Sequence, residues 1–299
     1  MVTSRYVVPS FFIIGAPKSG TTALANYLSD HPSLFLPKNE CNYFCFDVYN
    51  PPRYSSLDEY LGLFTCEKPY VTVAGEKSVW YLYSTEAVSH IHTFNPEAKY
   101  IVMLRNPTDM VYSLHSQLLV TRAETESSFE RAWGLQTTRQ QGKEIPPHNK
   151  GAKRLFYGSV GLYGEQLSRV YNTVRRKQVL ILFFEDFATN THNVYEETLR
   201  FLGIESDERE YFPTINPNER LRSPLLSDVI HTLRHLRSAL GIRIPPGISP
   251  VLKRLNTYPV ARKPMHPHTR NNLIDYFKDD IRLLQDITGR NLSQWLKKY

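Results

Sequence analysis

Residues 15–22 read Gly-Ala-Pro-Lys-Ser-Gly-Thr-Thr. Glycines, a lysine and hydroxyl side chains crowded into so short a stretch make an anion cradle. A helix that starts after a glycine turn presents unpaired backbone N–H groups and the positive end of its dipole, which suits phosphate-like oxygens. Ser19, Thr21 and Thr22 add hydroxyl donors, and Lys18 adds a full positive charge. In nucleotide triphosphatases the pattern is Gly-x-x-x-x-Gly-Lys-Ser/Thr, whose lysine reaches the β- and γ-phosphates while the next hydroxyl binds magnesium. Here Gly15 and Gly20 keep the spacing, yet Thr21 fills the lysine's place and the lysine stands at 18. The strand-end aspartate that would complete a magnesium site is also missing after Leu104, where Arg105 follows; Glu185-Asp186 after Phe184 imitates it. A nucleotide kinase or triphosphatase is weakened by these departures and stays open.

The elements that must hold such a loop can be read around it. Residues 7–14 form a short apolar run rich in β-branched and aromatic side chains, the pattern of a buried parallel strand. Leu24, Tyr27 and Leu28 then recur at helical spacing until Asp30-His31-Pro32 ends them. Further strands are expected at 70–74, 99–104 and 178–184, and helices at 108–120, at 194–202 before Gly203, and at 269–287 before Gly289. This alternation predicts an α/β, P-loop-like three-layer fold, with a mostly parallel central sheet flanked by helices and ligands bound beyond the carboxyl ends of the strands. We expect one core over residues 1–299, with insertions covering a site at 121–155 and 216–262. The second insertion carries a helical apolar pattern (Leu226, Val229, Ile230, Leu233, Leu240) and a proline-rich stretch at 244–250.

Charge narrows the ligand. The formal net charge of +7 is accounted for by residues 217–263, where nine lysines and arginines face only Glu219 and Asp228. Such a local excess suits a small anionic ligand; no nucleic-acid motif accompanies it, so nucleic acid is not expected as a partner. No apolar run is long enough to span a membrane, and the loop lies close to Met1, so a cytoplasmic protein without a membrane partner is expected. Cys41 and Cys45 lack nearby histidines, which favours a buried apolar role over a zinc site, and we assign no metal.

Two motifs together suggest a family. Pro17-Lys18-Ser19-Gly20-Thr21-Thr22 resembles the 5′-phosphosulfate loop of sulfotransferases that use 3′-phosphoadenosine 5′-phosphosulfate (PAPS), and Leu104-Arg105-Asn106-Pro107 with Ser113 resembles their 3′-phosphate motif. Lys38-Asn39-Glu40 before Tyr43-Phe44, Gly75-Glu76-Lys77-Ser78, Gly161 to Leu167, Phe184-Glu185-Asp186-Phe187 and Phe201-Leu202-Gly203 extend the likeness along most of the chain. The match is greatest to the heparan sulfate sulfotransferase branch and its stand-alone bacterial relatives.

The resemblance implies sulfuryl transfer from PAPS to a hydroxyl or amine of a small metabolite, natural product or carbohydrate, leaving 3′-phosphoadenosine 5′-phosphate (PAP). It implies that Pro17 to Thr22 hold the donor, with Lys18 stabilising the leaving group, and that Arg105 and Ser113 hold the 3′-phosphate. An arginine at a strand end can form two parallel hydrogen bonds to a phosphate, and the serine adds a neutral donor. It further implies Glu76 as the base taking the acceptor's proton, with Lys77 and Glu40 on the acceptor. A histidine serves as base in the cytosolic small-molecule branch, and His90, His92 and His115 are available. Arg262, Lys263 and His266 occupy the place of the family's Lys-Gly-Arg loop over the 3′-phosphate, although Pro264 stands where an arginine is usual. Acceptor identity, O- or N-transfer and oligomeric state stay open, as does a silent nucleotide- or polyanion-binding module.

Overall fold

Five parallel strands form the central sheet: β1 (Pro9–Gly15), β2 (Leu34–Phe35), β3 (Val73–Lys77), β4 (Lys99–Leu104) and β5 (Val179–Phe183). Their spatial order is β2-β3-β1-β4-β5, so the strand carrying the glycine loop sits in the middle. The computed structural model describes residues 5–49, 52–66, 68–147, 149, 151–213, 219–221, 257–259 and 263–298. Helices α1 (Thr21–Asp30), α2 (Ala87–Phe94), α3 (Pro107–Val120), α4 (Tyr163–Thr173), α5 (Phe184–Thr189), α6 (Thr191–Leu202) and α7 (Pro267–Thr288) flank it.

The pleat explains how continuous apolar runs serve two layers at once. Successive strand side chains point to opposite faces. Phe12 and Ile14 of β1, with Tyr100, Val102 and Leu104 of β4, enter one core cluster shared with α2, α3, α4 and α7. Phe11, Ile13, Ile101 and Met103 enter another, shared with α1, α5 and α6. The result is the three-layer α/β arrangement expected from the alternating pattern.

Local chemistry sets the element ends. Asn106 caps α3 by accepting from the Thr108 N–H at 3.0 Å, and Pro107 starts the helix where no N–H is required. Gly203 ends α6 and Gly289 ends α7 in left-handed conformations. One expected strand is displaced: 70–74 gives way to Val73–Lys77, because Tyr70 is exposed and the buried run begins later. That displacement brings Glu76 and Lys77 into the strand itself.

The 121–155 stretch folds around a buried ion pair. Arg139 donates to both Glu124 carboxylate oxygens at 2.7 and 2.8 Å, and Tyr157 Oη donates to the same carboxylate at 2.9 Å. Of the 216–262 stretch, Glu219–Leu221 and Thr257–Pro259 pair as an antiparallel ribbon; its expected amphipathic helix and proline-rich segment lie outside the described residues. No described helix is long and apolar enough to cross a membrane.

Candidate active site

At the carboxyl end of β1 the chain turns into α1 through residues 16–20. Gly20 is the N-cap at φ +89°, a left-handed conformation, and a Cβ there would meet Phe184 and Phe187 at 3.2 Å. No side chain caps this helix and its first turn holds no acidic residue. Its leading N–H groups therefore face an anion site with no built-in competitor. Ser19 is buried against the Pro17 carbonyl, to which its hydroxyl donates at 3.4 Å, so it shapes the turn. Ala16 N–H donates to the Met103 carbonyl at 2.7 Å, pinning the loop to β4.

The end of β4 then delivers the second cation. Arg105 donates to the Lys18 carbonyl at 3.4 Å, and its guanidinium lies 4.6 Å from the centre of the Phe184 ring. Both contacts leave the planar fork beside the loop. Pro17, Lys18, Gly20, Thr21, Thr22, Arg105 and Ser113 all line one cleft of about 620 Å³. Residues nearly ninety positions apart thus converge as the two motifs require.

Glu76 and Lys77 part company. Lys77 donates to the Thr22 hydroxyl at 3.2 Å and pairs with the Glu40 carboxylate at 3.1 Å. Glu76, one residue earlier on β3, points the other way and is completely buried. Burial pushes its carboxyl up to about 7, although the neighbouring Cys41, Tyr81 and Tyr60 groups pull in the other direction. Glu76 does not line the cleft; Glu40 does. Glu76, expected as the base, is turned away from the cleft by the pleat, and the carboxylate among the lining residues is that of Glu40.

Glu40 sits on a loop hung from the end of β3. Ser78 Oγ accepts from Asn42 N–H at 2.9 Å, and Tyr81 Oη accepts from the N–H groups of Tyr43 and Phe44 at 2.9 and 3.3 Å. Arg53 donates to the Glu40 carbonyl at 3.0 Å. The carboxylate is held by its backbone and by Lys77, while the side chain stays partly open to the cleft.

Sequence reasoning missed part of the cleft lining. Tyr27 and Phe212 meet edge to face at 5.1 Å, with Phe187 6.1 Å from Tyr27. Tyr27 could be read from its helical spacing, but only as a core residue. Tyr49, Trp80 and Arg154 also line the cleft, and no motif gave a signal for them.

The remaining expected residues lie elsewhere. Lys263 is exposed, and its carbonyl accepts from Tyr112 Oη at 3.1 Å; His266 accepts from the His268 N–H and caps α7. Neither lines the cleft, and Arg262 lies outside the described residues. His115 is a packing residue: it is buried against Phe129 and Tyr157, with Nε2 2.8 Å from the Glu126 carbonyl, and burial lowers its pKa. Among the described residues no cluster of His, Cys, Asp or Glu is arranged to hold a metal ion.

Comparison with known proteins assigns the family and the fold. A family model described as the sulfotransferase domain covers residues 9–219. The bifunctional heparan sulfate N-deacetylase/N-sulfotransferase 1 of Xenopus laevis is 26% identical over 97% of this chain and 31% of its own length. Carbohydrate sulfotransferase 15 of Mus musculus is 25% identical over 73% of this chain and 48% of its own length. This chain thus spans less than half of either relative. A sulfotransferase from Alicyclobacillus acidocaldarius has the same fold, with a TM-score of 0.71 at 25% identity over 97% of this chain and 100% of that one.

Proposed function

Because the chain belongs to the sulfotransferase family, we propose that it transfers a sulfonate from PAPS to a hydroxyl or amine of a small-molecule or carbohydrate acceptor. The observation that carries this is the convergence, in one cleft, of an uncapped helix N-terminus, Lys18 and Arg105. When bound, PAPS supplies an activated sulfonate and an adenosine bisphosphate leaving group. The residues fit such a donor. The N–H groups opening α1, with Lys18, Thr21 and Thr22, suit its phosphosulfate, and Arg105 and Ser113 suit a second phosphate. Tyr27, Phe187 and Phe212 offer aromatic faces and edges to a purine.

Glu40 is the base in this proposal. It is the carboxylate on the cleft wall, it lies beside Lys77, and Lys77 also touches the phosphate loop through Thr22. A carboxylate so placed takes the acceptor's proton, while Lys77 holds its orientation and Lys18 offsets negative charge on the donor side. Positioning and electrostatics carry most of such a displacement.

Isothermal titration with PAP against ATP plus magnesium tests the donor assignment. PAP should bind more tightly, with no dependence on magnesium; tighter, magnesium-dependent ATP binding would return the chain to the kinase or triphosphatase class. A screen of acceptors with radiolabelled PAPS then tests transfer.

A further inference from the structure

Two arginines of the 121–155 stretch are buried, and they are treated differently. Arg139 is neutralised by the two-pronged Glu124 carboxylate. Arg154 is only 9% exposed, yet among the described residues no carboxylate lies within 4.0 Å of it. Its partners are neutral. One terminal nitrogen donates to Tyr49 Oη at 3.4 Å and the other to Asn149 Oδ1 at 3.1 Å, the guanidinium lies 4.7 Å from the Tyr49 ring centre, and Nε has no partner. Asn149 is itself fixed, donating to the Ala123 carbonyl at 2.9 Å and accepting from the Gly151 N–H at 2.8 Å.

A guanidinium removed from water without a counter-charge is costly, and the cost is relieved when an anion reaches it. Arg154 lines the same cleft as Glu40, and both lie close enough to Tyr49 to bear on its phenol. We infer that Arg154 is an acceptor-recognition residue that binds an anionic group of the acceptor, a carboxylate or sulfate, while a hydroxyl or amine of the same molecule faces Glu40. The enzyme thereby selects acidic acceptors over neutral ones. A planar fork buttressed by Tyr49 and Asn149 is preorganised for a bidentate oxyanion, whereas a neutral acceptor leaves the charge uncompensated. This inference rests on the proposed transferase reading for the role of Glu40, although the anion site itself does not require it.

A matched pair of probes tests it: 4-nitrophenyl β-D-glucuronide and 4-nitrophenyl β-D-glucoside, which differ by one carboxylate. Affinities for the wild-type protein would be measured by titration, with and without PAP, and repeated for Arg154→Met and Arg154→Lys. The glucuronide should bind at least tenfold more tightly than the glucoside. Arg154→Met should abolish that preference and Arg154→Lys keep part of it, with PAP affinity unchanged throughout. Equal binding of the two probes by the wild type, or a preference that survives Arg154→Met, overturns the inference without any variant having to be active. A loss of PAP affinity in Arg154→Met also overturns it, by moving the arginine to the donor. Failure of the wild type to bind PAP is separate: it removes the transferase reading, while the glucuronide preference still decides the anion site.

Discussion

The Lys77 ammonium meets the Glu40 carboxylate, which lines the cleft, at 3.1 Å, and the same ammonium donates to Thr22 of the glycine loop. The cleft carboxylate and the glycine loop are therefore joined by one side chain. Glu40→Gln keeps the shape of this link but cannot take a proton. Turnover of radiolabelled PAPS should fall about 10²- to 10⁴-fold, the usual contribution of a positioned base, while PAP affinity stays within a few-fold. Turnover that survives in Glu40→Gln and collapses in Glu76→Gln would return the role to Glu76.

Arg105 should act on one phosphate only. A hydrogen bond to a charged group contributes about 1.5–3 kcal/mol, so Arg105→Ala should weaken PAP roughly ten- to a hundredfold. Adenosine 5′-phosphosulfate, which lacks the 3′-phosphate, should bind wild type and variant alike. Equal losses for both ligands would show Arg105 serving the loop, through its bond to the Lys18 carbonyl, and not the 3′-phosphate.

The buried Glu76 makes stability depend on pH. Its folded-state value of about 7 lies above the ordinary 4.5, so between those values the folded protein keeps a proton that the unfolded chain has released. Stability then falls as pH rises from about 4.5 to about 7 and stays lower above, by an amount on the order of 3 kcal/mol. Glu76→Gln removes the ionisation. In urea unfolding the variant should gain on the wild type at pH 8 and not at pH 4.5; a difference that is the same at both pH values counts against a buried, proton-holding carboxyl.

The Arg139–Glu124 pair should be expensive to break and cheap to replace. Burial alone would raise the Glu124 pKa, but hydrogen bonds from Arg139, the Glu126 N–H and Tyr157 hold it below the ordinary value. Its stabilisation is thus present above the ordinary carboxylate range and is lost as pH falls through the depressed value. Glu124→Gln should cost about 3–5 kcal/mol in urea unfolding, and a Glu124→Leu, Arg139→Met double variant should recover most of it. An additive double variant would mean that the two residues are not coupled.

The parts of this molecule that follow a local period were readable from its sequence. The apolar run before Gly15 and the run at 99–104 announce buried strands, and the glycine loop between strand and helix announces an anion site. What depends on parity or on distant packing was not. Glu76 and Lys77 are neighbours of opposite charge, and only the register of β3 decides which one meets Thr22 and Glu40. Tyr27 looks like any apolar residue of an amphipathic helix until Phe212 closes against it. The charge of Arg154 was visible and its burial was not, because Tyr49 and Asn149 come from separate segments.

The alternation within β3 sorts its two ionisable groups: the Lys77 ammonium toward the glycine loop, the Glu76 carboxyl toward the interior. A residue inserted between Val73 and Glu76 would reverse the face that each of the two takes. An ammonium would then be driven into the interior at the buried position now held by Ser78, and a second carboxylate would confront Glu40. Anion affinity and fold stability would fail in the same step. The length of this strand is therefore under a stricter constraint than that of the loops around it.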